Sequence, residues 1–174
     1  MDPKTLHTLE YFKILEKLAC YCAFAASADK ARGLHPTDNL EEAQQWLKQT
    51  SEAVQMLVTR PDLTIGGARD VRSQVDLAAH GSVLTPSDLL DIKSTLVAAR
   101  TLVRTFERLG TQFPSLSEIA AQIPTAQGVV DGITRAISER AEILDSASEK
   151  LNTIRRELRI THDRLLSKLQ RMVA

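Results

Sequence analysis

The sequence contains few aromatic residues and few cysteines. Its 174 residues include four Phe, two Tyr and one Trp, too few rings to indicate a surface that stacks on nucleic-acid bases. Cys20 and Cys22 are the only cysteines, and at helical spacing two positions apart their side chains diverge. Neither a mutual disulfide nor a two-thiolate metal clip is therefore expected, and this usage fits a reducing, cytoplasmic location.

Long apolar runs and nucleotide-binding loops are missing as well. No stretch approaches the roughly 18 consecutive apolar residues of a membrane span, and the charged N-terminal segment does not resemble a signal peptide. Neither GxGxxG nor GxxxxGK followed by Ser or Thr occurs. The histidines show no metal-ligand spacing; they are His7, His35, His80 and His162. We expect no catalytic, cofactor-binding or metal-binding residue here, and no membrane partner.

What the sequence does have is helical periodicity along nearly its whole length, without the alternation of a half-buried strand. A first helix is predicted from Asp2-Pro3 through Leu18, since proline favours the first helical position. The sequence therefore predicts an all-α fold, with a helical bundle core and a long, coiled-coil-like C-terminal helix.

Capping signals divide the middle of the chain. Thr85 followed by Pro86 predicts the start of a long central helix, which Gly110 ends. Ser115 and Glu118 have the spacing of a capping box for the short helix that follows. The last helix is predicted to be capped by Asp145 or Ser146.

The last helix carries a narrow apolar seam. At about 100° per residue, six of its apolar positions fall inside an arc of roughly 60°, whereas a helix in a globular core shows a stripe of at least about 100°. We define the seam as Leu151, Ile154, Leu158, Leu165, Leu169 and Met172. Such a seam is typical of a coiled-coil arm, and it is still running at Ala174. We expect a longer protein whose arm pairs with another helix or with a second copy.

Charge is balanced overall but not evenly spread. Lysine and arginine total 22, as do aspartate and glutamate, yet residues 150–174 hold seven cations against two anions. Arg155, Arg156 and Arg159 are candidates for weak phosphate contacts, because guanidinium groups match phosphate oxygens. A solvated polar face explains the same cluster. Asp145 and Ser146 suggest a metal or nucleophile site less well than they suggest a helix cap.

The order of several sequence blocks resembles the second-type, Smr-bearing branch of the MutS family. The blocks are residues 5–57, which begin "TLHTLEYF", "IGGARDVR" at 65–72, "GSVLTPSDLLDIKSTLVAAR" at 81–100 and "EILDSASEKLNTIRREL" at 142–158. The resemblance covers nearly the whole chain. The sequence departs from the family pattern G-x-I-x-D-x-A-S at its first position, where Ala141 stands in place of glycine. A turn that needs positive φ there is disfavoured by alanine.

The resemblance implies an N-terminal core and lever region, with residues 1–140 as helical core and 141–174 as the start of the lever helix. It implies a cytoplasmic homodimer with a clamp, an ATPase domain that binds ATP and Mg²⁺, and usually an Smr nuclease domain, all outside this chain. Family members are linked to DNA repair, to binding branched DNA, to restraining recombination and to rescuing collided ribosomes. The alternative is an autonomous helical adaptor that binds a partner protein.

We predict that the purified chain neither hydrolyses ATP nor cleaves DNA, because it has no phosphate loop and no nucleophile with a neighbouring base. The measurements are ATP turnover and plasmid nicking by material passed over two orthogonal columns. Turnover that follows the chain through both columns at constant specific activity would contradict the prediction.

Overall fold

A computed structural model describes residues 2–62 and 66–173, with the backbone alone at Val173. In these ranges the chain forms helices, one 3₁₀ turn and an isolated antiparallel bridge, with no strand, so the predicted all-α class is confirmed. The helices are α1 (Pro3–Thr8), α2 (Tyr11–Ala19), α3 (Ala25–Arg32), α4 (Leu40–Thr59), α5 (Arg72–Ala79), α6 (Pro86–Leu109), α7 (Pro114–Ala121), α8 (Gln127–Ala136) and α9 (Glu149–Val173), and the 3₁₀ turn is Asp145–Ala147.

The prediction of one helix up to Leu18 was wrong, because the chain breaks between α1 and α2. Glu10 lies at the break with a left-handed φ of 51°. In an unbroken helix Leu6 and Leu15 would lie about 180° apart, on opposite faces. The break allows α2 to pack on both α1 and α3, with Leu15 and Ala19 buried.

The central helix α6 was predicted correctly at both ends. Thr85 caps it through a reciprocal capping box with Asp88, and Gly110 follows its last residue. The helix packs against α7 and α8. Phe113, in the turn between α6 and α7, is 0% exposed and is the largest fully buried side chain among the described residues. The main core therefore lies where α6, α7 and α8 meet.

A buried carboxylate joins α4 to this core. Glu52, which is only 9% exposed, accepts hydrogen bonds from Ser115 Oγ at 2.8 Å and from the backbone N–H of Leu116 at 3.1 Å. These donors lie in the first turn of α7, where backbone N–H groups lack partners within the helix. The predicted capping box of Ser115 and Glu118 was wrong: Phe113 occupies the cap position, and Glu52 engages the Ser115 hydroxyl instead.

An arginine links the N-terminal helices to the rest of the chain. Arg72, at the start of α5, lies 2.7 Å from Asp29 of α3 and also binds Asp70. Its hydrogen bond lowers the pKa of Asp70 to about 2. Because these groups are exposed, the link orients α3 more than it stabilises the fold.

The last helix, α9, is a single element of 25 residues. It packs against the 3₁₀ turn that precedes it. Most of its predicted seam faces solvent: Leu158 is 66% exposed and Met172 81%. Pairing of this seam with a second helix stays a prediction. Within the described ranges, no helix combines the length and apolar character needed to cross a membrane.

We predict that Glu52→Ala lowers the free energy of unfolding by about 2–3 kcal/mol, because two buried donors lose a charged acceptor. Glu52→Gln keeps one acceptor oxygen and should cost less. Gln55→Ala, an exposed change on the same helix, is the control and should lie within about 0.5 kcal/mol of the parent. Urea unfolding followed by circular dichroism measures all three, and equal midpoints for Glu52→Ala and Gln55→Ala would refute the role of Glu52.

Candidate functional site

The candidate site is the junction that joins α8 to α9, residues 137–148. Ile137 and Ile143 form an antiparallel bridge, and the backbone N–H of Ser138 donates to the Glu142 carbonyl at 2.9 Å. The N–H of Leu144 donates to the carbonyl of Ala136, the last residue of α8, at 2.8 Å. The chain therefore folds back on the end of α8 before α9 begins.

Two side-chain contacts fix the junction to the core. Ser146 Oγ donates to the carbonyl of Arg135, near the end of α8, at 2.7 Å. Glu139, at the tip of the turn, lies 2.6 Å from Lys93 Nζ on α6. The Lys93 side chain is only 16% exposed. Its end of this ion pair is therefore shielded from water more than the charged groups of the other surface ion pairs.

Asp145 binds both of the arginines that lie one turn apart at the base of α9. Arg155 Nη1 donates to Asp145 Oδ1 at 2.6 Å, and Arg159 Nη2 donates to Oδ2 at 3.1 Å. Arg155 Nη1 also donates to the carbonyl of Ile143 at 2.9 Å. One carboxylate therefore uses both oxygens to hold the junction against two successive turns of the helix.

The arginines stabilise the charged form of this carboxylate. The hydrogen bond from Arg155 is the largest cause that holds the pKa of Asp145 below its ordinary value of 3.8, and the charges of Arg155 and Arg159 act in the same direction. A lowered pKa means that the interaction is present above the pKa of the unfolded chain. It is lost as the pH falls through the lower value of the folded state.

The cap of α9 lies at Ser148, and the predicted capping by Asp145 or Ser146 was wrong. Asp145 and Ser146 belong to the preceding 3₁₀ turn, whereas α9 begins at Glu149. The Ser148 carbonyl accepts the first backbone bond of the helix, from Asn152 at 3.0 Å, and its Oγ lies 3.5 Å from the N–H of Leu151. The cap at Ser148 could have been predicted from the sequence, because serine is favoured at the position directly before the first helical residue.

The structure separates the arginines that were candidates for phosphate contacts. Arg155 and Arg159 are engaged by Asp145, whereas Arg156 lines a groove along α9. Glu149 and Glu157 line the same groove as Arg156. The three arginines do not converge on one place where a phosphate would sit.

Metal-ligand groups are also scattered. Among the described residues, no cluster of three or more His, Cys, Asp or Glu side chains is arranged to hold a metal ion. Cys20 and Cys22 are both free. The Asp145 carboxylate faces cations rather than other acids.

Comparison with known proteins gives relatives along the full chain. No family model matches. A protein named Endonuclease MutS2 from Thermomicrobium roseum is 38% identical over 177 aligned residues, which cover 100% of this chain and 22% of that protein. Proteins of the same name from Geobacillus sp. (strain WCH70) and Bacillus cytotoxicus are 34% and 37% identical, over 99% of this chain and 22% of each relative.

The chain belongs to the second-type branch of the MutS family. It corresponds to an N-terminal piece of these relatives and spans about a fifth of their length. Their name describes these relatives as endonucleases.

The junction gives a physical role to several positions of the pattern G-x-I-x-D-x-A-S. Ile143 bridges to Ile137, Asp145 binds the two arginines, and Ser148 begins the helix. Ala141, at the glycine position, has a φ of 60°. The turn therefore holds an alanine in a left-handed conformation, which costs roughly 1–2 kcal/mol.

We predict that Ala141→Gly raises the free energy of unfolding by about 0.5–1 kcal/mol, because glycine removes the strain but adds freedom to the unfolded chain. Ala53→Gly, in the middle of α4, is the control and should lower it by about 1 kcal/mol. Thermal unfolding measures both changes. A loss of stability at position 141 similar to that at position 53 would show that the turn is not strained.

Proposed function

We propose that this chain is a structural and allosteric module of a second-type MutS protein, with the base of the lever helix at the junction. The observation that carries the proposal is the Asp145 carboxylate, which holds Arg155 and Arg159 of α9 against a turn hydrogen-bonded to α8. The chemistry of the full protein takes place in other domains.

The geometry suits the transmission of movement. On the core side, Ser146 and Leu144 bind the carbonyls of Arg135 and Ala136 at the end of α8. On the other side, α9 extends for 25 residues, about 37 Å at 1.5 Å per residue. A tilt of about 5° at the base would move the far end by roughly 3 Å. Such a junction converts a small rotation of the core into a displacement at the end of the arm.

The parts outside this chain complete the proposal. An ATPase domain would bind ATP and Mg²⁺, the full protein would form a cytoplasmic homodimer, and DNA or ribosomes would be held by a clamp beyond the arm. Family membership and the names of the relatives support this assignment. DNA repair, suppression of recombination and rescue of collided ribosomes are the processes in which such a protein would act.

The second candidate is an autonomous adaptor that binds a partner protein through α9. It is favoured by the exposure of the seam, where Leu165 and Leu169 are 56% and 50% exposed. An unpaired apolar seam is what a partner helix would cover. The adaptor does not require the junction to transmit anything.

A chimera distinguishes the two candidates. This chain replaces the matching segment of the Thermomicrobium roseum relative, and ATP turnover is measured with and without branched DNA or ribosomes. We expect the chimera to keep stimulated turnover. Asp145→Ala should retain basal turnover but lose at least about half of the stimulation, because the arm is no longer held to the core. Asp163→Ala, which removes a carboxylate farther along the same helix, is the control.

Equal stimulation in the Asp145→Ala and Asp163→Ala chimeras would contradict the coupling role. Stimulation that persists when the whole segment is deleted would favour the adaptor.

A further inference from the structure

The first three helices form a small unit at the start of the chain. Helix α2 packs against both α1 and α3, and its buried residues are Leu15 and Ala19. In the described part of the chain, no helix from α4 onward packs closely against any of these three. We call residues 2–33 the N-terminal unit. Since helix packing does not hold this unit to the later helices, other contacts must fix its position.

The segment that connects the N-terminal unit to α4 has a short stretch in which it can bend. Residues 34–39 form no regular secondary structure. The Thr37 hydroxyl donates to the Glu42 carboxylate on α4, which fixes the second half of the segment to that helix. Pro36 restricts the backbone further, because its ring locks its own φ. We therefore expect any rotation of the N-terminal unit to take place at residues 33–35.

An ion pair crosses from the N-terminal unit to the rest of the chain. Arg72 Nη2, at the start of α5, donates to Asp29 Oδ2 on α3 at 2.7 Å. We call this contact the α3–α5 ion pair. Among the described residues, no other ion pair joins the N-terminal unit to a later part of the chain.

Each partner of the α3–α5 ion pair is oriented by its own side of the contact. Arg72 Nε donates to Asp70 Oδ1 at 2.8 Å, and the N–H of Arg69 donates to Thr95 Oγ1 on α6 at 2.9 Å. This part of the chain is therefore fixed to the core.

The N-terminal side is held in a similar way. Arg32 Nη1 lies 3.4 Å from Asp29 Oδ1, and Arg32 Nε lies 3.0 Å from Glu16 on α2. Since both partners are oriented before they meet, the contact costs little side-chain freedom. It can form and break without rearranging either side.

We propose that the N-terminal unit moves between the docked position seen in the structure and a released position, and that the α3–α5 ion pair favours the docked one. The Asp29 and Arg72 side chains are 53% and 59% exposed. An exposed ion pair stabilises weakly and is screened by salt, so docking is reversible and depends on ionic strength. The movement carries an apolar surface with it, since Ile14 and Tyr21 on the unit are 61% and 81% exposed. The proposal does not depend on the coupling role of Asp145.

Time-resolved energy transfer between two fluorescent labels on the purified chain tests the proposal. The labels are attached at Lys30→Cys on α3 and Glu118→Cys on α7, with Cys20 and Cys22 replaced by serine. The donor decays within nanoseconds, so two positions that exchange in microseconds or more slowly give two separate distances.

We expect a docked majority at low salt. Arg72→Gln should raise the ratio of released to docked molecules about two- to fivefold, as expected for the loss of an exposed ion pair. Raising the salt from about 50 to about 500 mM should have a similar effect on the parent chain and little effect on the variant.

Two further variants keep the test specific. Asp29→Asn breaks the same ion pair from the other side and leaves Arg72 bound to Asp70. It should give the same shift, and the double variant should add nothing to it, because both changes remove one interaction. Lys13→Gln is the matched control, since it breaks an exposed ion pair with Glu10 inside the N-terminal unit and should leave the ratio unchanged.

The result that supports the proposal is a shift confined to the Arg72→Gln and Asp29→Asn variants and reproduced by salt in the parent chain. A single distance in the parent chain at both salt concentrations, an equal shift in Lys13→Gln, or additive shifts in the double variant would overturn it.

Discussion

The arrangement of the chain around its last helix depends on one carboxylate. Asp145 uses its two oxygens for arginines 10 and 14 positions later, while its own turn is hydrogen-bonded to the end of α8. No other part of the described core packs closely against α9. Without Asp145, the helix would be joined to the core mainly through its backbone and the contact of Arg155 with the Ile143 carbonyl. The direction of α9 is therefore set by electrostatics at an exposed joint rather than by a packed apolar interface.

The rest of the fold stabilises the platform on which this joint rests. Helices α6, α7 and α8 all contribute buried side chains, Phe113 between α6 and α7 is fully buried, and Glu52 ties α4 to the start of α7. Large apolar side chains remain exposed on several helices, including Leu47 and Val54 on α4 as well as the seam of α9. Contiguous exposed apolar surface usually marks contact with other protein. Such surfaces fit the proposal that this chain works as a module within a larger protein.

Local signals were readable from the sequence, and distant partners were not. Thr85 followed by Pro86 was enough to predict the start of α6, and the structure adds a capping box between Thr85 and the nearby Asp88. Ser115 has the right spacing for the same motif, but Glu52, 63 positions earlier, takes its hydroxyl. No local pattern reports that competition, because it depends on how α4 packs.

The candidate site shows the same division. The arginines of α9 and the acidic turn before it were both visible in the sequence, but their pairing needed the fold-back of residues 137–148. The family resemblance singled out Ala141, and the structure shows that this alanine adopts a left-handed conformation. The claim that Asp145 sets the direction of α9 is tested most directly by a distance between two spin labels. One label is attached at Glu118→Cys on α7 and the other at Ser167→Cys on α9, with Cys20 and Cys22 replaced by serine. We predict one narrow distance distribution for the protein with Asp145 and a clearly broader one for the Asp145→Ala variant. A distribution of the same width with and without Asp145 would contradict it.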